Sequence, residues 1–426
     1  MYCLFRLIFI IFVAESINIM HIFQDKNPFT TNDSKPKEKF MLIPSIGYEL
    51  DKKQGNATLT FDGWYYRSLD SSIIKNIIKN TLQAALGFMD KGETANEERL
   101  EPFFVADVSD RKFQLRLSES ISQIVSTDEN GRFHQTIIVN SLTRLPVQGQ
   151  VLKYIAIDDS HSQNGYEGTV YVMKTTDHIG CSIISDIDDT IKISEVPFKT
   201  KLMVNTFKKP FEAVPGMSGV YRSWESLHQC LIHYVSAMPS QLYYVTQNFL
   251  NQQNFPGGSF HMRHLKLVSS EKINLLKHII DFVQHDASQK HKISVIENIL
   301  THAPIKQQFT MVGDSGEVDP EIYGTIARRF PHRINMIFIR VVDGGKNGDN
   351  RFENAFQNVS RDKWKLFSSA AELPKQLYND VNTRIPIDMT IDFTSAKPNN
   401  TKMLSTSFVF AILPVLVTLF FISQYI

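Results

Sequence analysis

The stretch Cys181-Ser182-Ile183-Ile184-Ser185-Asp186-Ile187-Asp188-Asp189-Thr190 decides how the rest of this chain is read. Its first half is a short apolar run of the kind that forms a buried strand, and its second half is a burst of acid. In extended chain, residues i and i+2 lie on the same side, so Asp186 and Asp188 can face one site while Ile187 packs the other way. Two carboxylates at a strand end suit phosphoryl transfer: one attacks phosphorus and the other handles the leaving-group proton. The competing chemistry for such a run is a calcium loop. An EF-hand would require Gly where Ile191 stands and Glu where Pro197 stands, so it is excluded.

Downstream, short buried runs at 231–235, 308–312 and 335–339 read as strands, and helical spacing recurs at 219–228, 271–284, 292–300 and 320–329. Strands alternating with helices predict an α/β domain over 178–385, built on a parallel sheet covered on both faces. In such a sheet, ligands bind outside the carboxyl ends of the strands. The run 308–312 ends in Gly313-Asp314-Ser315-Gly316-Glu317-Val318-Asp319, a second acidic cluster at a second strand end. Ser236 closes the run 231–235, and Lys292 opens the helix ahead of the acidic strand. Upstream, alternation at 58–66, 113–117, 133–139, 150–156 and 169–173 predicts a smaller, mostly β domain over 40–177. A helix is expected from Ile73, Ile74, Ile77, Ile78 and Leu82.

The order of these elements resembles the haloacid-dehalogenase superfamily, and the wording is similar to the catalytic domain of the actin-patch-associated phosphatidate phosphatase family. The matching text is SDIDDTIK (185–192), VPGM (214–217), HYVSAMP (233–239), the segment 255–263 and GDSGEVDPEIY (313–323). Met238 departs from the small residue expected there. The resemblance implies a HAD-like Rossmannoid sheet and a Mg2+-dependent phosphatase that hydrolyses phosphatidate through an aspartyl-phosphate. It implies Asp186 as nucleophile and Asp188 as general acid and then base. Asp314 would complete a metal site with Asp186 and the Asp188 backbone carbonyl, with Asp319 in support. Ser236 and Lys292 would hold phosphoryl oxygens, and Thr190 and Lys192 would line the substrate. Other readings are another phosphomonoester as substrate, a serine hydrolase using Ser315 in its Gly-Asp-Ser-Gly setting, and a non-catalytic lipid-binding ectodomain.

A formal net charge of +1 over 426 residues, with 42% hydrophobic and 21% charged residues, removes any whole-molecule case for nucleic-acid binding. Residues 1–16 carry an apolar run after Arg6 and read as a signal peptide, followed by a polar linker over 17–39. A polar stretch over 386–406 leads to an apolar tail over 407–426, read as a membrane anchor or a glycolipid-anchor signal. Both ends predict a membrane-attached enzyme with a lumenal or extracellular body, and N-x-S/T sequons at Asn32, Asn56, Asn358 and Asn399 fit that compartment. Lys192, Lys199, Lys201, Lys208 and Lys209, interleaved with Phe198, Leu202, Met203 and Phe207, form either a lip for an anionic lipid surface or an ordinary flap. If Asp186 and Ser236 converge on one phosphate, their strands are neighbours about 4.8 Å apart, with Cys181 and Cys230 near the amino ends. A disulfide is then within reach, whereas a one-residue offset would leave two buried thiols.

Overall fold

A computed structural model gives the fold and describes residues 38–68, 96–103, 105–158, 165–263, 265, 285–345, 347–348 and 350–378. The amino-terminal part is a ten-stranded, largely antiparallel sheet. Its strands are β1 (Glu38–Ile43), β2 (Ser45–Asp51), β3 (Asn56–Ser68), β4 (Val105–Asp107), β5 (Lys112–Arg116), β6 (Ser122–Ser126), β7 (Arg132–Val139), β8 (Val147–Gln148), β9 (Val151–Asp158) and β10 (Tyr166–Met173). The order is β1-β3-β2-β10-β9-β5-β6, with β4 and β7 also on β3 and β8 on β9. Alternation explains it: Phe113 and Leu115 of β5, and Leu152, Tyr154 and Ala156 of β9, enter one core, while the residues between them face outward. A single turn of helix, α1 (Glu97–Leu100), precedes β4.

The second part alternates strands and helices in chain order. It comprises β11 (Gly180–Ser185), β12 (Lys192–Ile193), α2 (Lys199–Phe207), β13 (Glu212–Ala213), α3 (Met217–His228), β14 (Leu231–Pro239), α4 (Tyr243–Gln252) and β15 (Gly258–Arg263). It continues with α5 (His285–His302), β16 (Gln307–Asp314), α6 (Asp319–Arg329), β17 (Ile334–Arg340) and β18 (Trp364–Phe367). Six strands pair in parallel in the order β15-β14-β11-β16-β17-β18. The first strand in sequence therefore lies at the centre, and the chain reverses direction between β11 and β16. That reversal opens a crevice at the strands' carboxyl ends. Both faces of the sheet are buried, which is why β14 is a run of nine buried residues. Ile183 faces the core formed with Met217, Tyr221 and Trp224 of α3 and Phe249 of α4, while its neighbour Ile184 faces Ile296 and Ile299 of α5 and Ile322 and Ile326 of α6. Local signals set the helix ends: Gly216 takes φ 82° ahead of α3, and α6 has Pro320 and two acids in its first turn and Arg328 and Arg329 in its last.

The expected strands and the helices at 219–228, 292–300 and 320–329 are present, usually a few residues longer. The α/β class and the mostly β amino-terminal region also hold. β1, β2, β15, α2 and α4 go beyond the sequence reading, and β1 begins inside the segment read as linker. The two sheets share their cores: Met41, Trp64 and Tyr66 pack in the same cluster as Ile183 and Ile232. The helices expected at 73–82 and 271–284, both chain ends, Asn32 and Asn399 lie outside the described residues. Among the described residues no helix is long and apolar enough to cross a membrane.

Cys181 and Cys230 are joined in a disulfide with a Cα separation of 4.5 Å. Register explains it: Ser182 stands opposite Leu231 in the β11–β14 pair, so the preceding cysteines face each other. The bridge closes a loop across a sequence separation of 49. In the chain-entropy picture such a closure stabilises by about 2–4 kcal/mol. Cys181→Ala with Cys230→Ala is expected to lower the unfolding free energy by that amount in denaturant titration. Equal stability of the double variant, or two reactive thiols from this pair in the unreduced protein, would show that the bridge is not formed.

Candidate active site

The carboxyl ends of β11 and β16 flank the crevice, and each delivers carboxylates into it. Asp186 follows β11 directly, its amide donating to Val312 O at 2.9 Å, so the motif continues the sheet for one more residue. The chain then turns sharply. Asp189 takes φ 53°, and its side chain holds the turn: Oδ1 accepts from the amides of Ser194 and Glu195 at 2.9 and 2.8 Å, and Oδ2 accepts from Val196 at 2.6 Å. Arg340 at the end of β17 donates to the Asp189 carbonyl at 2.6 Å. Asp189 thus builds the loop, a role for which its place in the acidic run gave no distinguishing signal.

Asp186, Asp314 and Asp319 are buried, and one carboxylate oxygen from each lies within 4.8 Å of the others. Asp314 closes β16. Its Oδ1 accepts from the amides of Gly316 and Glu317 at 2.5 and 3.2 Å, while its Oδ2 is buried with no partner among the described residues. Asp319 opens α6 and reaches back to accept from the Asp314 amide at 3.3 Å. Gly313 makes room for this, since a Cβ there would meet Asp319 Oδ2 at 2.5 Å.

Lys292, fully buried on α5, pairs with Asp186 at 2.8 Å, Asp319 at 2.7 Å and Glu317 at 3.3 Å. Three carboxylates therefore contact one ammonium, and Asp314 lies beside two of them. Burial, opposed by Lys292 and reinforced by Asp319, pushes the Asp186 carboxyl well above the usual carboxylate range. Burial, with Asp319 and Asp186, does the same to Asp314. Burial works against the Lys292 ammonium, but Asp186, Asp319 and Glu317 outweigh it and hold its pKa well above the ordinary lysine value. The shared cause is more buried negative charge than a single lysine offsets, and an orphaned carboxylate oxygen within it fits a divalent cation.

Asp188 faces a different set of groups. Its Oδ1 is taken by Lys192 Nζ at 2.7 Å and Ser194 Oγ at 2.5 Å, while among the described residues Oδ2 has one long contact, from Ser236 Oγ at 3.5 Å. Asp188 thus presents one oxygen held by two short contacts and one with a single long contact. Lys192, read as a substrate contact, makes its ion pair with Asp188, and Thr190 donates to Asp186 Oδ2 at 3.2 Å. Ser315 is buried, and its Oγ accepts from the Val342 amide at 3.0 Å; among the described residues no histidine bonds to it. Glu317 and Ser194 join the site as residues that the sequence reading did not assign.

Strand-end acids meeting across the reversal of a parallel sheet define an α/β domain with an acidic, cation-accepting centre. Residues 181–341 match the family described as "Phosphatidate phosphatase APP1, catalytic domain". The chain is 35% identical over 164 residues to the phosphatidate phosphatase APP1 of Saccharomyces cerevisiae, covering 38% of this chain and 26% of that protein. It is 33% identical over 170 residues to an uncharacterised protein of Schizosaccharomyces pombe, covering 39% of this chain and 26% of that protein. The chain thus spans about a quarter of the length of the curated relatives it matches.

Proposed function

We propose that this chain is a Mg2+-dependent phosphatase of HAD-like type that hydrolyses phosphatidate to diacylglycerol and phosphate through an aspartyl-phosphate. The observation that carries the reading is the division of labour between two strand-end carboxylates. Asp186 is bound to a buried ammonium beside a cation-accepting cluster, and Asp188 is held through one oxygen with the other in a single long contact.

The Asp186 carboxylate attacks phosphorus, forming the new P–O bond as the bond to the glycerol oxygen breaks. Protonated Asp188 gives its proton to that leaving oxygen from Oδ2. In the second half, Asp188 takes a proton from water as the water oxygen attacks the phosphoaspartate, which frees phosphate and restores the Asp186 carboxylate. Ser236 Oγ and Lys292 Nζ hold phosphoryl oxygens, the lysine exchanging its longest contact, 3.3 Å to Glu317, for the substrate. Thr190 orients Asp186, and Lys192 orients Asp188 at the substrate's edge. Asp186, Asp314, Asp319 and the Asp188 carbonyl would hold Mg2+, which when bound offsets the repulsion between a carboxylate and a phosphate dianion, about 4 kcal/mol per charge pair at 4 Å.

A lipid surface suits the entrance. Phe198 is 41% exposed and packs over Gly344, and Pro197 lies against Gly316 beside Asp314, so this segment forms one lip of the crevice. We place the enzyme on the lumenal or outer side of a membrane, a reading supported by the Cys181–Cys230 bridge, which persists in oxidising compartments.

The test is phosphate release from phosphatidate, lysophosphatidate and soluble phosphomonoesters, with Mg2+ and with chelator. Release from phosphatidate that stops with chelator is expected. Asp314→Asn should raise the Mg2+ concentration for half-maximal rate about 10-fold or more, and Asp188→Asn far less, because only the former loses a carboxylate ligand. Release unaffected by chelator, or abolished by Ser315→Ala, would overturn the reading.

A further inference from the structure

The Asp188–Lys192 pair does not stand alone. Lys192 Nζ also lies 4.3 Å from the centroid of the Phe211 ring, and the guanidinium of Arg99 lies 3.9 Å from the same centroid. Arg99 comes from α1, upstream of the β11 motif by more than eighty residues and outside the segment 181–341 that matches the catalytic family. It is buried, and its Nη1 donates to three backbone carbonyls at the end of the lip helix α2: Asn205 at 3.4 Å, Thr206 at 2.9 Å and Lys209 at 2.6 Å. Two further contacts tie the same regions together. The Asn96 amide donates to Phe207 O at 2.7 Å, and the rings of Phe103 and Phe207 are 5.8 Å apart.

We propose that Arg99 and Phe211 are positioning residues for the phosphatase reaction, acting through Lys192 on Asp188, so that the amino-terminal part of the chain completes the catalytic site. The inference rests on the proposed roles of Asp186 and Asp188. Arg99 caps the carboxyl end of α2, where carbonyls lack partners within the helix and the dipole is negative. That fixes the path of the chain from Asn205 to Phe211. Phe211 immediately precedes β13, whose pairing of Ala213 with Lys192 sets the ring beside the lysine. The ring then restricts the ammonium, through its electron-rich face, to the position from which it holds Asp188 Oδ1. With Oδ1 held, Oδ2 alone points to the leaving group. Lys192 is fully buried, so its stem has no second place to go if ring and carboxylate both remain.

General-acid help matters where the leaving group is a poor one. An alkyl phosphate leaves as a strongly basic alkoxide and needs the proton, whereas p-nitrophenyl phosphate leaves as a stabilised phenolate and does not. A residue that merely supports the fold affects both substrates alike. A residue that aims Asp188 lowers formation of the phosphoaspartate from the first alone, whereas its effect on the later attack of water is common to both. The experiment compares kcat/KM, which reports formation of the phosphoaspartate, on glycerol phosphate and on p-nitrophenyl phosphate, in the full chain with Mg2+, for Arg99→Met, Phe211→Leu and Phe211→Tyr. The alkyl-to-aryl rate ratio is expected to fall about tenfold in Arg99→Met and Phe211→Leu, a part of the usual general-acid contribution, and to recover in Phe211→Tyr. Phe211→Leu keeps the apolar bulk, so the ratio remains readable if Arg99→Met unfolds. An equal loss on both substrates, or a Phe211→Tyr variant as impaired as Phe211→Leu, overturns this inference and leaves the phosphatase reading intact. A native chain that releases phosphate from neither substrate nor from phosphatidate overturns the phosphatase reading itself.

Discussion

Asp186→Asn is expected to slow phosphate release by about 10^4-fold or more, because the amide keeps the shape of the carboxylate but cannot attack phosphorus. The fold should survive. Lys292 retains Asp319 at 2.7 Å and Glu317 at 3.3 Å, and the substitution removes one charge from a cluster with an excess of them. Metal-free Asp186→Asn should therefore be at least as stable as the native chain in denaturant. The nucleophilic role also has a direct readout: acid-quenched native enzyme should carry phosphate in an alkali-labile acyl linkage, and Asp186→Asn should carry none. Full turnover by the variant, or labelling of the variant equal to that of the native chain, would refute the assignment.

Lys292→Met should have the second largest effect, on stability and rate together. Methionine fills the volume of the stem but leaves Asp186, Asp319 and Glu317 facing one another without their cation. Removing one partner from a buried charge network of this kind costs about 3–5 kcal/mol. With chelator present, the unfolding free energy of Lys292→Met should drop by that amount, and millimolar Mg2+ should restore part of it by supplying positive charge to the same carboxylates. The loss is distinguishable from simple packing damage, because a packing defect would not respond to the ion. Native-like stability in chelator, or a deficit that Mg2+ leaves untouched, would show that Lys292 does not balance the cluster. The rate should fall about 100-fold or more even with saturating Mg2+, since an ammonium that holds a phosphoryl oxygen is lost.

Much of this was legible before any fold was known. The apolar run ending in Asp186, the spacing of Asp186 and Asp188, and the acidic tail of the run at 308–312 all obey rules local in sequence. A strand with both faces buried must be almost wholly apolar, and carboxylates cannot sit inside it, so they gather where it ends. β15 was less legible. Glycine at 257 and 258 has low strand propensity, and the strand pairs with β14 from Gly258 to Arg263. Phe198 and helix α2 after it, with Lys199, Lys201 and Leu202, form a mixture that fits an exposed flap as readily as a helix, and the end of α2 is held by Arg99 from far upstream.

The sequence by itself determined the chemistry available: which carboxylates exist, that they gather at strand ends, that the strands run parallel, and that two cysteines fall near the amino ends of two of those strands, with their register left open. Only the tertiary structure decided the company each group keeps. Asp186 is bound by a lysine more than one hundred residues away, Asp188 has one oxygen held and one with a single long contact, Asp189 builds a turn, and Asp314 keeps an unpartnered oxygen. The division has a physical reason. Burial and strand pairing follow from short-range apolar pattern, whereas the protonation and aim of a buried acid depend on charges within a few ångströms, and in this fold those charges arrive from β12, α5 and α6.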